Sequence, residues 1–135
     1  MKVLVCGGRD YGMVPFDICP RAHEAAQARA TKQREVLKAK MFQLKGQGMT
    51  FLIHGGARGA DDLAGQWAEV NGVPQDVYWA DWERYGKPAG IIRNRKMLEV
   101  GCPDLVVAFP GGRGTQDMVR RATEAGVPVE RVPAP

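Results

Sequence analysis

Three short segments pair glycine with arginine in a way suited to holding an anion: Gly7-Gly8-Arg9-Asp10, Gly55-Gly56-Ala57-Arg58-Gly59-Ala60-Asp61 and Pro110-Gly111-Gly112-Arg113-Gly114-Thr115. Glycine lets main-chain N–H groups approach a ligand closely, and a turn that opens into a helix aims the positive end of the helix dipole at it. Arg9, Arg58 and Arg113, one per segment, add charge-assisted donors of the kind phosphate accepts. One such segment is explained by a tight strand-to-helix turn alone. Three that converge on one crevice point to a phosphorylated ligand. The segments match none of the best-known phosphate loops: Gly7 to Gly12 has the glycine spacing of a Walker loop but is followed by Met13 rather than Lys-Ser/Thr, and no GxGxxG follows the first apolar run. GTPase, kinase and ordinary NAD dehydrogenase readings are disfavoured.

Other residues have chemistry worth placing. Arg93 and Asn94 stand at the start of a helix, where they either face the crevice, to read a phosphate and a base or ribose, or supply an N-terminal cap and a surface charge. Asp61 either caps a helix or contacts a ribose hydroxyl, and Thr115 caps a helix while its hydroxyl faces phosphate. Asp62 is expected to face solvent. His54, ending an apolar run beside Gly55, reads as structural, with acid–base work as the alternative. Trp82 and Tyr85 either stack on a base or anchor their loop. Trp67, Trp79 and Met97 read as core, and His23 as surface. Cys6, Cys19 and Cys102 form no CxxC pair, so the sequence implies neither a metal site nor a cofactor.

The elements that must position these groups follow from the pattern. Apolar runs at 2–6, 51–54, 76–79, 104–109 and 127–130, bounded by Gly and Pro, predict five buried strands. Between them, helical spacing predicts helices over 60–70, 91–100 and 115–125, each followed by Gly and Pro or by Asn-Gly. Ala60–Val70 sets Leu63, Ala64, Trp67, Ala68 and Val70 largely on one face. Alternation of strand and helix predicts an α/β, Rossmann-like three-layer domain whose five-stranded parallel sheet has order 3-2-1-4-5. In that order the switch lies between the first and fourth strands, where the glycine turns gather. The first crossover is long. From Arg21 to about Lys45 there is no Pro or Gly, and about 25 residues at ~1.5 Å each make a helix of ~37 Å. Ala26, Ala30, Gln33, Leu37, Met41 and Leu44 form its inner stripe. Arg29, Lys32, Arg34, Lys38, Lys40 and Lys45 form a basic outer face, read as solvated, with a subunit contact or a polyanion surface as alternatives.

Length and composition fit this architecture. The 135 residues suit a single domain over 1–135, and 44% hydrophobic with 25% charged residues is ordinary for a globular protein. Seventeen glycines exceed the usual share of about 7%. No apolar stretch approaches a membrane span, and the start of the sequence has no signal-peptide pattern, so a cytoplasmic protein without a membrane partner is expected. A net charge of +4 permits anionic partners without demanding nucleic acid.

The motifs Val3–Asp10, His54–Asp61, Ala80–Lys87 and Arg93–Met97, in that order, resemble the YspA-like, YpsA-related branch of the SLOG superfamily, found in bacteria and phages. Pro110–Thr115 resembles the PGGxGT motif of the Lonely Guy (LOG) phosphoribohydrolases. The resemblance covers most of the chain except the long basic helix and the last residues. It implies a nucleotide or nucleotide-derived ligand of the ADP-ribose or nucleoside-monophosphate type, bound by a sensor or sequestering protein or by a weak N-glycosidic hydrolase. It also implies a homo-oligomer. The alternative is a single-stranded nucleic-acid-binding module like DprA, a member of the same superfamily. LOG catalysis depends on an Arg before the motif's strand and a Glu in PGGxGTxxE. Ungapped counting puts Arg95 on the first, whereas Met118 occupies the second and Asp117 falls one residue early, about 100° around a helix. Arg95 and Asp117 are therefore the catalytic candidates, with Asp10, Asp61, Asp81 or Glu83 as other sources of a carboxylate.

Overall fold

A computed structural model describes residues 1–135. Strands β1 (Lys2–Cys6), β2 (Phe51–His54), β3 (Gln75–Val77), β4 (Leu105–Ala108) and β5 (Val129–Arg131) form one parallel sheet in the order β3-β2-β1-β4-β5. The helices are α1 (Pro20–Gly46), α2 (Ala60–Val70), α3 (Trp82–Tyr85), α4 (Ala89–Glu99) and α5 (Arg113–Glu124). The expected order and layering hold. β1 is central, pairing Val3 with Leu52 of β2 and with Leu105 of β4.

Alternation along the strands divides the core into two layers. Val3, Val5, Leu52 and Val107 pack with Leu37, Met41 and Leu44 of α1 and with Ala64, Trp67 and Ala68 of α2. Leu4, Cys6, Ile53, Val106 and Ala108 point the other way, onto Met97 of α4 and Met118, Val119 and Ala122 of α5. Trp67 and Met97 are core residues as expected, and His23 lies at the surface.

The differences are local. β3 spans 75–77 rather than 76–79, and β5 spans 129–131 rather than 127–130. Trp79, read as core, is 72% exposed because β3 ends at Val77 and leaves it on the following loop. Val70 is 84% exposed at the last position of α2. The one-turn helix α3 was not anticipated; Asp81 caps it, its Oδ1 accepting from Arg84 N at 3.1 Å. At 27 residues α1 is slightly longer than expected, ~40 Å at 1.5 Å per residue. Gln33, the polar member of its inner stripe, accepts from Gly12 N at 2.8 Å and so ties the helix to the β1–α1 loop. No helix is long and apolar enough to cross a membrane.

Candidate functional site

At the carboxyl ends of the strands the three glycine turns pack directly on one another. Gly8 N donates to Pro110 O at 2.9 Å, and Ala60 N donates to Gly8 O at 3.3 Å. Gly59, with φ +80°, needs a backbone that L side chains rarely adopt, and a Cβ there would collide with the Gly8 carbonyl. A Cβ on Gly8 would in turn press on Pro110 O at 3.0 Å. Around this junction opens a cleft of about 950 Å³, at the upper end of the ~300–1,000 Å³ range of small-molecule sites.

The turns are not equivalent as donors. In the second, the polar backbone is already used: Gly55 N and Ala57 N donate to Asp61 Oδ2 at 3.1 and 3.4 Å, and Gly56 N donates to His54 Nδ1 at 3.0 Å. In the third, the five consecutive N–H groups from Gly111 to Thr115 donate to no protein atom, and Gly112, at the N-cap of α5, supplies no side-chain cap. This bare helix N-terminus gathers unpartnered donors and the positive end of the helix dipole in the cleft, an arrangement suited to an anion. Thr115 is the third residue of α5, so it is not the cap.

Arg93 and Asn94 lie in the second turn of α4, which starts at Ala89, and both face the cleft rather than cap the helix. Arg93 NH1 donates to Gly55 O at 2.6 Å and its Nε to Asn94 Oδ1 at 3.1 Å. Burial lowers the Arg93 pKa, and the nearby Asp61 carboxylate opposes that shift. Asn94, only 4% exposed, donates through Nδ2 to Gly114 O at 3.0 Å and to Asp117 Oδ2 at 3.1 Å. It thereby fixes the glycine turn of α5 against α4.

Asp61 sits in the first turn of α2, whose N-cap is Gly59. Its side chain reaches back to the β2–α2 loop, so it does not cap the helix. Oδ2 takes the two loop amides, while Oδ1 has no protein partner and is not sealed away, so it opens into the cleft that Asp61 lines. Burial raises the Asp61 pKa, and the Arg93 charge and the two amides pull against it. His54 is held at both ring nitrogens: the Gly56 N–H donated to Nδ1 leaves the proton on Nε2, which meets Gln75 Oε1 at 2.8 Å. Its place is structural. Asp62 is exposed, accepting from Gln66 at 2.8 Å.

Gly7, Gly8, Arg9, Asp10, Arg113 and Asp117 also line the cleft. Asp117 is clasped by Arg120 NH2 at 3.0 Å and Arg121 Nε at 2.9 Å, which leaves it poorly placed for proton transfer. Arg95 is exposed on α4 and does not line the cleft. Arg58 faces a smaller adjoining pocket, which Gly55 and Gly56 also line. Met118, at the LOG glutamate position, is buried under α5. Asp81 and Glu83 lie outside the cleft lining; of the alternative carboxylates, Asp10 and Asp61 line it. Sequence reasoning missed Arg29, Lys87 and Tyr11 as cleft residues. The signal for Arg29 was Gln33, one helical turn away and polar within an apolar stripe.

A sequence profile described as the YspA, cpYpsA-related SLOG family (YAcAr) matches residues 1–85. The chain belongs to that family. A relative of this SLOG chain is the Gene 61 protein of Mycobacterium phage D29, 47% identical over an alignment of 85 residues that covers 58% of this chain and 67% of the phage protein. Among solved structures, the X-ray structure of the structural-genomics target TM1055 superposes with a TM-score of 0.66 over 95% of this chain and 71% of that one, at 23% identity. That likeness shows the fold. The profile takes in the first two glycine turns of the SLOG chain and stops before α4 and the third, so Arg93, Asn94 and the bare α5 terminus stand on geometry.

Proposed function

We propose that this SLOG chain binds a nucleotide or nucleotide-derived ligand, of the ADP-ribose or nucleoside-monophosphate type, with a phosphate on the N-terminus of α5. The observation that carries the reading is the run of five unpartnered N–H groups from Gly111 to Thr115, opening into a cleft of about 950 Å³. Arg9, Arg29, Lys87, Arg93 and Arg113 line the same cleft and supply the counter-charge. Of its carboxylates, Asp61 and Asp117 are already engaged by protein donors. Membership of the SLOG family supports a nucleotide-related binding or hydrolase-like function.

The protein acts as a sensor or sequestering protein, or as a weak N-glycosidic hydrolase. The LOG arrangement of Arg and Glu is not reproduced, since Arg95 lies outside the cleft lining and Met118 replaces the glutamate. For hydrolysis the best-placed carboxylate is Asp61, whose free Oδ1 faces the cleft and would stabilise positive charge developing on a ribose. The DprA-like alternative draws less support: of the basic side chains on α1, Lys40 pairs with Glu130, Lys45 donates to Asn71 O at 3.3 Å, and Arg29 turns to the cleft.

The test is a thermal-shift series with AMP, ATP, NAD, ADP-ribose, adenosine and a short single-stranded DNA. A phosphorylated probe at 100 times its Kd stabilises by about 2.7 kcal/mol, a rise of about 8–10 °C for this size. Adenosine, which lacks the phosphate, is expected to do far less. An equal shift with adenosine, or a response to DNA alone, overturns the reading. Chromatography of the same mixture for released base separates hydrolase from sensor.

A further inference from the structure

Beside the main cleft lies a smaller pocket of about 260 Å³ walled by two tryptophans and three arginines. The indole of Trp79 lies across the Gly56 turn, its six-membered ring occupying the space where a Cβ on that glycine would stand. One face of the ring is thereby covered by backbone, yet the residue remains 72% exposed, so the opposite face is open. Trp82, on the facing one-turn helix, is 47% exposed, with the Arg9 guanidinium 5.4 Å from its ring centroid. Arg58 and Arg93 complete the wall. The pocket adjoins the main cleft, with Arg9, Ala57, Trp82 and Arg93 lining both.

We propose that this pocket is a base subsite: the planar base of a nucleotide stacks on the open face of Trp79, beside Trp82 and the arginines, while the phosphate lies on the α5 terminus. The inference rests on the nucleotide-binding reading and deepens it. Two indoles with guanidinium neighbours form a π-rich surface that any nucleobase stacks on. At about 260 Å³ the room falls below the usual span of a complete small-molecule site, ~300–1,000 Å³, and suits one part of a larger ligand. A ligand that fills both compartments carries its base at one end and its phosphate at the other. The pocket's lining has no Asn, Gln, Asp or Glu, so stacking dominates over edge recognition and the subsite discriminates weakly among bases.

Calorimetric titration of the wild-type protein with ADP-ribose and with ribose 5-phosphate, which lacks a base, tests this. Trp79→Leu is expected to weaken ADP-ribose at least fivefold, the low end of what one base–aromatic stack supplies, and to leave ribose 5-phosphate unchanged. Trp79→Phe, which keeps a π face, is expected to recover most of the loss. ADP-ribose, and not ribose 5-phosphate, is expected to quench the indole fluorescence of the wild type. If Trp79→Leu leaves ADP-ribose binding unchanged, or weakens both probes equally, the base subsite is overturned while the phosphate site stands. Wild-type protein that binds neither probe overturns both. Binding of a thymidine oligomer that depends on Trp79, without ADP-ribose binding, overturns the subsite in favour of a nucleic-acid strand.

Discussion

Gly112 offers a direct electrostatic probe of the α5 terminus. It occupies the N-cap with φ −97°, outside the left-handed region, and a Cβ there meets nothing within 4 Å. Gly112→Ala therefore adds a methyl into open space. Gly112→Asp adds a carboxylate that caps the helix and satisfies one or two of the free amides, raising the stability of the unliganded protein by about 0.5–1 kcal/mol through the cap and the dipole. The same carboxylate occupies the place proposed for phosphate. Two unit charges ~5 Å apart at an effective dielectric of ~20 repel by about 3 kcal/mol, more than 100-fold in Kd. The assay is a paired one, denaturant unfolding without ligand and calorimetric titration with AMP or ADP-ribose. Gly112→Asp is expected to unfold at the same or a higher denaturant concentration and to lose AMP binding, with Gly112→Ala close to wild type in both. A folded Gly112→Asp protein that binds AMP within threefold of wild type would refute the reasoning.

Asp61→Asn removes a buried charge whose pKa is raised by desolvation. A raised folded pKa means that stability falls as pH rises through it, so the variant's urea midpoint is expected to gain on wild type between pH 4 and pH 7; a variant that loses ground to wild type over that range contradicts the assignment. Gly59→Ala puts a methyl into the Gly8 carbonyl at φ +80° and is expected to cost more than about 2 kcal/mol, read by the same unfolding series; a cost under about 0.5 kcal/mol argues against the junction. Burial pushes the Cys6 thiol up to about 12, whereas Cys19 and Cys102 are exposed. Two thiols are expected to react quickly with a thiol reagent at pH 8 and the third only after unfolding, and three fast thiols would contradict the packing of Cys6.

Much of the scaffold was legible because it rests on local signals. Runs such as Val3–Cys6 and Leu105–Ala108 are apolar on both faces, as strands covered on both sides must be, and the glycines after them mark where the chain turns into a helix. The convergence of the three turns followed from strand order alone. What was not legible depends on who bonds to whom. Nothing in Gly55-Gly56-Ala57-Arg58-Gly59 reveals that Asp61 and His54 have claimed its amides while those of Gly111–Thr115 stay free, although the two turns look alike as text. Trp79 was misplaced because a strand ending two residues earlier turns a core indole into a wall of a pocket. Arg29 was hidden because the long helix passes close to the cleft only along its N-terminal half, a matter of helix trajectory rather than periodicity.

The pairing of β1 has a consequence for how the protein acquires its site. Its neighbours on either side start at Phe51 and Leu105, so both ladders of the central strand close over long stretches of chain. Contacts of such sequence separation form slowly and late, since loop closure must precede the reward. The contact between Gly8 and Pro110 joins the two rims of the cleft across just such a span. No half of the chain therefore carries a rudimentary version of the site, and a chain cut after Tyr85 retains two glycine turns but neither the β4 edge nor the free amides. The cleft is complete only with the completed sheet, so a ligand that occupied it would stabilise the whole architecture at once and would guard the entire chain against proteolysis as one unit.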